Sequence, residues 1–194
     1  MALPAVNLPG PATLADLAAL PSHMKGEIID GVLYAMTRPR AGHQHRVLRI
    51  SADISYAFER GRGGPGGWWI LPEPGIELAG APEVSPDIAG WRRERLPELP
   101  RDSSIAVVPD WVCEVLSPGT RSYHFLRKRP LYARVGVSFL WEVDNDAQVL
   151  TVNQLENGRW VELGSFGEEQ SVRLPPFDAV STDVRGWWED LGVL

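Results

Sequence analysis

Glu114 stands in the stretch PDWVCEVLSPGT, residues 109–120, with Trp111, Val112, Cys113, Val115 and Leu116 around it. A short apolar run bounded by Pro-Asp and Ser-Pro-Gly reads as a central strand covered on both faces. An ionised carboxylate there must be paired, hydrogen-bonded or bound to a metal, because desolvating it alone is strongly unfavourable. Asp87 in SPDIAGW has a similar setting, an acid opening a short apolar strand 27 residues upstream. If the two strands are neighbours, the carboxylates converge. A hard divalent cation such as Mg²⁺ accepts one or two carboxylates, with water and substrate phosphate completing its octahedron. Two plainer readings stay open: Asp87 caps a turn after Pro86, and Glu114 pairs with a buried arginine.

Lys128, Leu131, Tyr132 and Val135 fall at i, i+3, i+4 and i+7, so the lysine opens a helical stripe that faces the sheet. An ammonium there points toward the carboxylates, where it can stabilise charge building on a phosphate or help to deprotonate the attacking water. The alternative is a lysine that snorkels to solvent. His43 lies four residues before Val47 and joins the inward stripe of another helix, whereas His45 points elsewhere. That spacing is wrong for two histidines on one metal, which use i and i+4. With 4 His and 1 Cys in the chain, zinc is a poor reading. His43 then supports the carboxylates, touches a substrate phosphate or is simply structural.

The elements that position these groups are legible as an order. ATLADLAAL reads as a short helix stopped by Pro21, and GEIIDGVLYAM as a hairpin turning at Asp30-Gly31. A helix runs from His43 to about Arg60, with Val47, Ile50, Ile54 and Ala57 or Phe58 on its apolar face. Strands follow in WWIL, GIELA and PDIAGW, then the loop RRERLPELPRDSS and the strand of Glu114. A helix over RPLYARVG is expected to start near Arg127, because proline is tolerated in a first turn, and to stop at Gly136. SFLWEVD, AQVLTVNQLENG and RWVEL form a meander with a turn at Asn157-Gly158, and the tail ends in a helix from Ser181 or Thr182. The fold class is α/β (α+β), a mixed central β-sheet flanked by helices.

Length and composition fit one domain over residues 1–194, with a Pro-rich lead and short helix to residue 21 and a core over about 24–165. One cysteine excludes an intramolecular disulfide and suits a reducing cytosol; Cys113 reads as core filling. No apolar stretch approaches membrane-spanning length, so the protein is expected to be soluble and cytoplasmic. The net charge of −6 is unevenly spread: residues 142–194 hold 11 of the 25 acids and 3 of the 19 bases. Residues 31–52 contain Arg38, Arg40, Arg46 and Arg49 without an acid, and residues 115–141 contain Arg121, Arg127, Lys128, Arg129 and Arg134 without one. Together they can form a phosphate-facing surface, with Arg46, Arg49, Arg121 and Arg127 as its contacts. Solvated arginines are the alternative.

GEIIDGVLYAM, GHQH, SPDIAGW, PDWVCEVLSPGT, a lysine eight residues after Thr120, and LYARVGVSFLWEVD together resemble the Uma-two family of restriction-endonuclease-like proteins, in the PD-(D/E)xK nuclease superfamily. The resemblance runs from about Met24 to Asp144. It implies a restriction-endonuclease-like core with additional hairpins. It also implies that Asp87 and Glu114 are metal ligands, with the backbone carbonyl of Val115 as a further one. Leu116 occupies the superfamily's usual lysine position, and Lys128 matches the family's relocated lysine. Glu27 matches the glutamate before the hairpin turn, and His43 the histidine at the helix start. The family usually has an aspartate where this chain has His124. The implied function is Mg²⁺- or Mn²⁺-dependent cleavage of nucleic acid, DNA in the first place. Its rivals are a non-catalytic descendant that binds nucleic acid or a protein partner, and a homo-oligomer, such as a dimer, whose exposed Trp187 and Trp188 form an interface.

Overall fold

The computed structural model describes residues 6, 8, 10–101, 104–169 and 171–189. Helix α1 (Leu14–Ala18) opens with a capping box, in which the Thr13 hydroxyl accepts from the Asp16 N–H and the Asp16 carboxylate accepts from the Thr13 N–H. The expected hairpin follows as β1 (Met24–Ile29) and β2 (Val32–Thr37). Its turn residues Asp30 and Gly31 take φ of 51° and 75°, the conformation that an Asp-Gly pair tolerates. Helix α2 (Ala41–Ile54) continues into a π-helical turn, Ser55–Glu59.

Strands β3 (Trp68–Pro72), β4 (Ile76–Leu78), β5 (Ala81–Val84), β6 (Ile88–Arg92) and β7 (Trp111–Leu116) come next. β5 is not foreshadowed in the sequence, since Pro82 withdraws a backbone donor from so short a strand. After β7, three helical segments run on without a break: α3 (Arg121–Tyr123), a π-helical turn His124–Lys128, and α4 (Arg129–Val135). The helical run therefore starts six residues before the expected Arg127. Pro130 sits just behind the π turn, where the ladder has already shifted register: the Arg129 N–H bonds the His124 carbonyl, five residues back. Pro130 does lie in the first turn of α4, as expected, but that turn follows the π turn without a break. Gly136 ends the run with φ 87°, as expected.

Strands β8 (Phe139–Asp144), β9 (Val149–Glu156) and β10 (Arg159–Phe166) form the meander. The tail departs from expectation. Ser181–Thr182 is strand β12, paired with β11 (Val172–Arg173), and the terminal helix α5 is Arg185–Trp188.

The large sheet has the order β10-β9-β8-β7-β6-β3, mixed because β7 and β8 run parallel across the helical crossover, while β2-β1-β5-β4 form a smaller antiparallel sheet. Alternation along the strands sends side chains to two cores. Trp111, Cys113, Val115, Trp141 and Val143 pack under α2 and the C-terminal segment with Phe177 and Trp187. Val112, Leu140 and Trp91 pack on the other face with Leu131 and Tyr132 of α4 and with Ile29 and Tyr34 of the small sheet. Trp187 and Trp188 are 1% and 7% exposed, so the expected tryptophan interface is overturned: both rings fill the first core. Cys113 is fully buried, and burial pushes its thiol up, consistent with core filling. Among the described residues no helix is long and apolar enough to cross a membrane.

Candidate active site

Glu114 and Val112 share the face of β7 that looks toward α4 and the small sheet. β6 pairs antiparallel with β7, Ile88 opposite Cys113. One step further along that register, Asp87 and Glu114 meet at the end of the ladder. Asp87, Glu114 and Lys128 are 7%, 5% and 5% exposed. The Lys128 ammonium lies 2.7 Å from Glu114 Oε1 and 3.0 Å from Glu27 Oε1, and donates to the Ser85 carbonyl at 3.1 Å. Four elements thus meet at one cation: β1 with Glu27, the β5–β6 junction with Ser85, β7 with Glu114 and the π turn with Lys128.

Each carboxylate is held on more than one side. His43 at the start of α2 bonds through Nε2 to Asp87 Oδ1 at 2.9 Å, and the Val115 N–H donates to Asp87 Oδ2 at 2.7 Å. The Tyr132 hydroxyl donates to Glu114 Oε1 at 2.6 Å. Glu27 accepts from the Tyr123 hydroxyl at 2.6 Å and from the Ser85 N–H at 2.8 Å.

Burial works against the charged form of His43, but its bond to Asp87 outweighs that and raises the imidazole above its ordinary range. Asp87 is lowered despite burial, by His43, Lys128 and the Val115 N–H. Glu114 is raised, first by burial and then by the neighbouring Asp87 and Glu27, with Lys128 and His124 pulling the other way. Burial would lower Lys128, yet Glu114, Glu27 and Asp87 together hold its ammonium well above the ordinary lysine range. An ammonium held this firmly in its charged form is suited to acting on negative charge.

Three carboxylates face this one ammonium, with His43 beside them. Among the described residues no three His, Cys, Asp or Glu side chains form a group that could by themselves hold a metal ion. Mg²⁺ asks for less, commonly one or two carboxylates with water. Asp87 and Glu114, hard oxygen donors in a surplus of negative charge, fit that smaller requirement.

The sequence brought out Asp87, Glu114, Lys128, Glu27 and His43, and the fold brings all five together. It missed Ser85, Tyr123 and Tyr132. Tyr132 carried a signal, standing four residues after Lys128 on the same stripe. Ser85 and Tyr123 meet Glu27 only through tertiary contact.

The arginines divide. Arg46 is 5% exposed, donates from Nε to Asn145 Oδ1 at 3.0 Å and lays its guanidinium 4.8 Å from the Trp188 ring centroid. Its expected place on a phosphate-facing surface is corrected, because its head turns inward. Arg49 is half-buried beside His45, Arg121 pairs with Asp144, and Arg127 is exposed near the Tyr34 ring. A second buried network lies one strand away: Glu142, opposite Glu114 in register, bonds His124 at 2.5 Å, Arg129 at 3.1 Å and Asn153 at 2.9 Å.

A comparison with curated proteins gives no match. Among solved structures, the chain is similar to one described as a "putative nuclease belonging to DUF820 from Anabaena variabilis", with TM-score 0.72 and 20% identity over 92% of this chain and 98% of that one. At that identity the likeness establishes the fold. The family model described as "Uma2: Putative restriction endonuclease" matches residues 13–185. With that match running from α1 through the carboxylates and the lysine to the start of α5, the chain belongs to the Uma2 family.

Proposed function

We propose that the protein is a metal-dependent nuclease that hydrolyses phosphodiester bonds in nucleic acid, with DNA as the substrate. The observation that carries this reading is the meeting of Asp87, Glu114 and Lys128 from three separate elements, with Lys128 2.7 Å from Glu114. Asp87, Glu114 and the Val115 carbonyl would hold Mg²⁺ or Mn²⁺. A metal bound there supplies Lewis acidity and a lowered pKa for its water. The chain's own residues do the rest. His43 and the Val115 N–H fix the Asp87 carboxylate by both oxygens. Tyr132 orients Glu114, and Glu27 with the Ser85 carbonyl aims the lysine. Lys128 stays charged and stabilises the negative charge that grows on phosphate in the transition state.

A second reading, a non-catalytic descendant of the fold, draws on one observation: Asp87 and Glu114 each already have partners within the protein, which a purely structural network would also need. The test is cleavage of labelled DNA and RNA with Mg²⁺, Mn²⁺ or EDTA, for wild type and Glu114→Gln. Metal-dependent cleavage that disappears in Glu114→Gln supports the nuclease, as does a metal-induced rise in Tm confined to wild type. Binding without cleavage under every condition supports the descendant.

A further inference from the structure

A cleft of ≈ 420 Å³ lies between α1 and the small sheet, within the ~300–1,000 Å³ of sites that enclose a small molecule or part of one. Leu17, Leu20, Pro21 and Met24 give it an apolar wall, and Glu27, Glu83 and Ser85 line it as well. Glu27 and Ser85 also hold Lys128 at 3.0 and 3.1 Å, so the cleft and the candidate site share two residues. Glu73, also in the lining, bonds through its N–H to the Asp87 carbonyl at 3.0 Å.

Glu27, Glu73 and Glu83 line the cleft against Lys25 and Arg38. Glu73 is paired with Lys25 at 2.8 Å and Glu27 with Lys128 at 3.0 Å, while Arg38 donates to the Ser22 carbonyl. Burial, with Glu27 and Glu77 nearby, raises the half-buried Glu83 carboxyl above its ordinary range. Glu83 is the carboxyl of the lining with no hydrogen-bond or ion-pair partner among the described residues, and a hydrogen-bond donor would satisfy it. A flat ring against an apolar wall, with an amino edge toward Glu83, is the complementary ligand.

Resting on the nuclease reading above, we infer that this cleft takes one unpaired nucleobase bearing an exocyclic amino group, so that the preferred substrate is single-stranded or locally opened nucleic acid. In a duplex the base stays inside the stack and cannot reach the cleft, whereas a nucleotide turned out of the stack can enter. The recessed Asp87, Glu114 and Lys128, 5–7% exposed, also favour a thin strand over a rigid duplex. Cytosine presents an amino donor that a carboxylate accepts; thymine offers an acceptor and a methyl at the same edge.

The test is fluorescence anisotropy in EDTA, using labelled oligodeoxycytidine, oligothymidine and a mixed-sequence duplex, alongside a cleavage assay in Mn²⁺. Oligodeoxycytidine should bind roughly ten-fold more tightly than oligothymidine or duplex. Glu83→Met should bring the cytidine preference to within about two-fold. Ser22→Trp, which fills the cleft from an exposed position, should weaken oligodeoxycytidine binding whether or not Glu83→Met folds. Equal affinity for the two homopolymers, duplex binding as tight as single-strand binding, or no effect of Ser22→Trp overturns the inference. If the base preference holds while nothing is cleaved, the cleft stands and the nuclease reading falls. If duplex and both homopolymers are cleaved alike, the nuclease stands and the cleft assignment falls.

Discussion

Lys128 is the residue on which the buried charges balance, and removing it tests folding before it tests catalysis. Without the ammonium, Glu27 and Glu114, 1% and 5% exposed, face each other unpaired by a cation. Breaking a buried ion pair from one side costs about 3–5 kcal/mol. Lys128→Met should therefore lose about that much stability at neutral pH without metal, measured by urea denaturation. The pH dependence has a definite sign. Glu114 already lies above its ordinary range in the folded protein, and loss of Lys128 raises it further. A carboxyl raised on folding favours the folded state at low pH and opposes it as pH climbs, so the gap between variant and wild type should narrow from pH 7 toward pH 4. A gap that widens on acidification would mean that Lys128 does not serve these carboxylates. His124 gives the opposite lesson. The family's usual aspartate at that position would set a second acid against Glu142, whose carboxyl is lowered despite burial by the His124 bond, Arg129 and Asn153. His124→Asp should accordingly lower Tm, and Glu142→Gln in the same chain should recover part of the loss. A single His124→Asp variant as stable as wild type would remove the pair from the account. Asp87, Glu114 and Lys128 were legible as residues because a charge in an apolar run or stripe needs a reason. The ring of hydroxyls around them was not, because Tyr123 and Tyr132 look apolar until a carboxylate appears beside them.

At the scale of elements, the strands β6, β7 and β8 were readable because short apolar runs between prolines and glycines have few other fates. Their register was not, since it depends on partners distant in sequence, and register is what brings Asp87 level with Glu114. The helical run after β7 was misjudged at its start for a physical reason. Pro130 is a first-turn proline of α4, and nothing local announces the π turn and α3 that precede it. That turn matters for chemistry, because Lys128 closes it and its side chain enters the site from there. Gly90 is the point in β6 where this arrangement is tightest. A Cβ there would stand 3.0 Å from Trp111 Cε3, 3.1 Å from Ile70 Cδ1 and 3.4 Å from Trp68 Cε3. Trp111 belongs to the strand of Glu114 and is itself fully buried, with the Trp141 and Phe177 rings edge-on to it. Its indole has little room to yield. Gly90→Ala should destabilise by about 1–3 kcal/mol, as overpacking of a close-packed core does. It should also depress activity by tilting β7 under Glu114. Equal stability by chemical denaturation would show that the aromatic stack gives way more easily than its packing implies.

Over the whole molecule, the acid-free basic segments suggested an arginine surface, and the fold distributes those arginines differently. Arg46 is inside, Arg121 is spent on Asp144, Arg129 on Glu142, and Arg134 reaches Asp30 at 2.8 Å. Within a chain of net charge −6, that leaves Arg49 and the exposed Arg127 as the expected contacts best placed to meet phosphate. Each phosphate neutralised by a basic side chain releases counterions, and the slope of log K against log salt is about −0.9 per contact on duplex and about −0.7 on a single strand. Nucleic-acid binding by this protein should therefore show a shallow salt dependence, with a slope of roughly −1 to −3. Arg127→Ala and Arg49→Ala should each flatten it by about 0.7–0.9 with little change in Tm. Arg46→Ala should behave in the reverse manner, leaving the slope unchanged while lowering Tm, because its guanidinium serves Asn145 and the Trp188 ring. The discriminating measurement is affinity across a salt series for the three variants, with Tm recorded on the same preparations. A steep wild-type slope, or a slope that flattens in Arg46→Ala, would mean that Arg46 swings outward on binding and that the arginine surface forms in the complex.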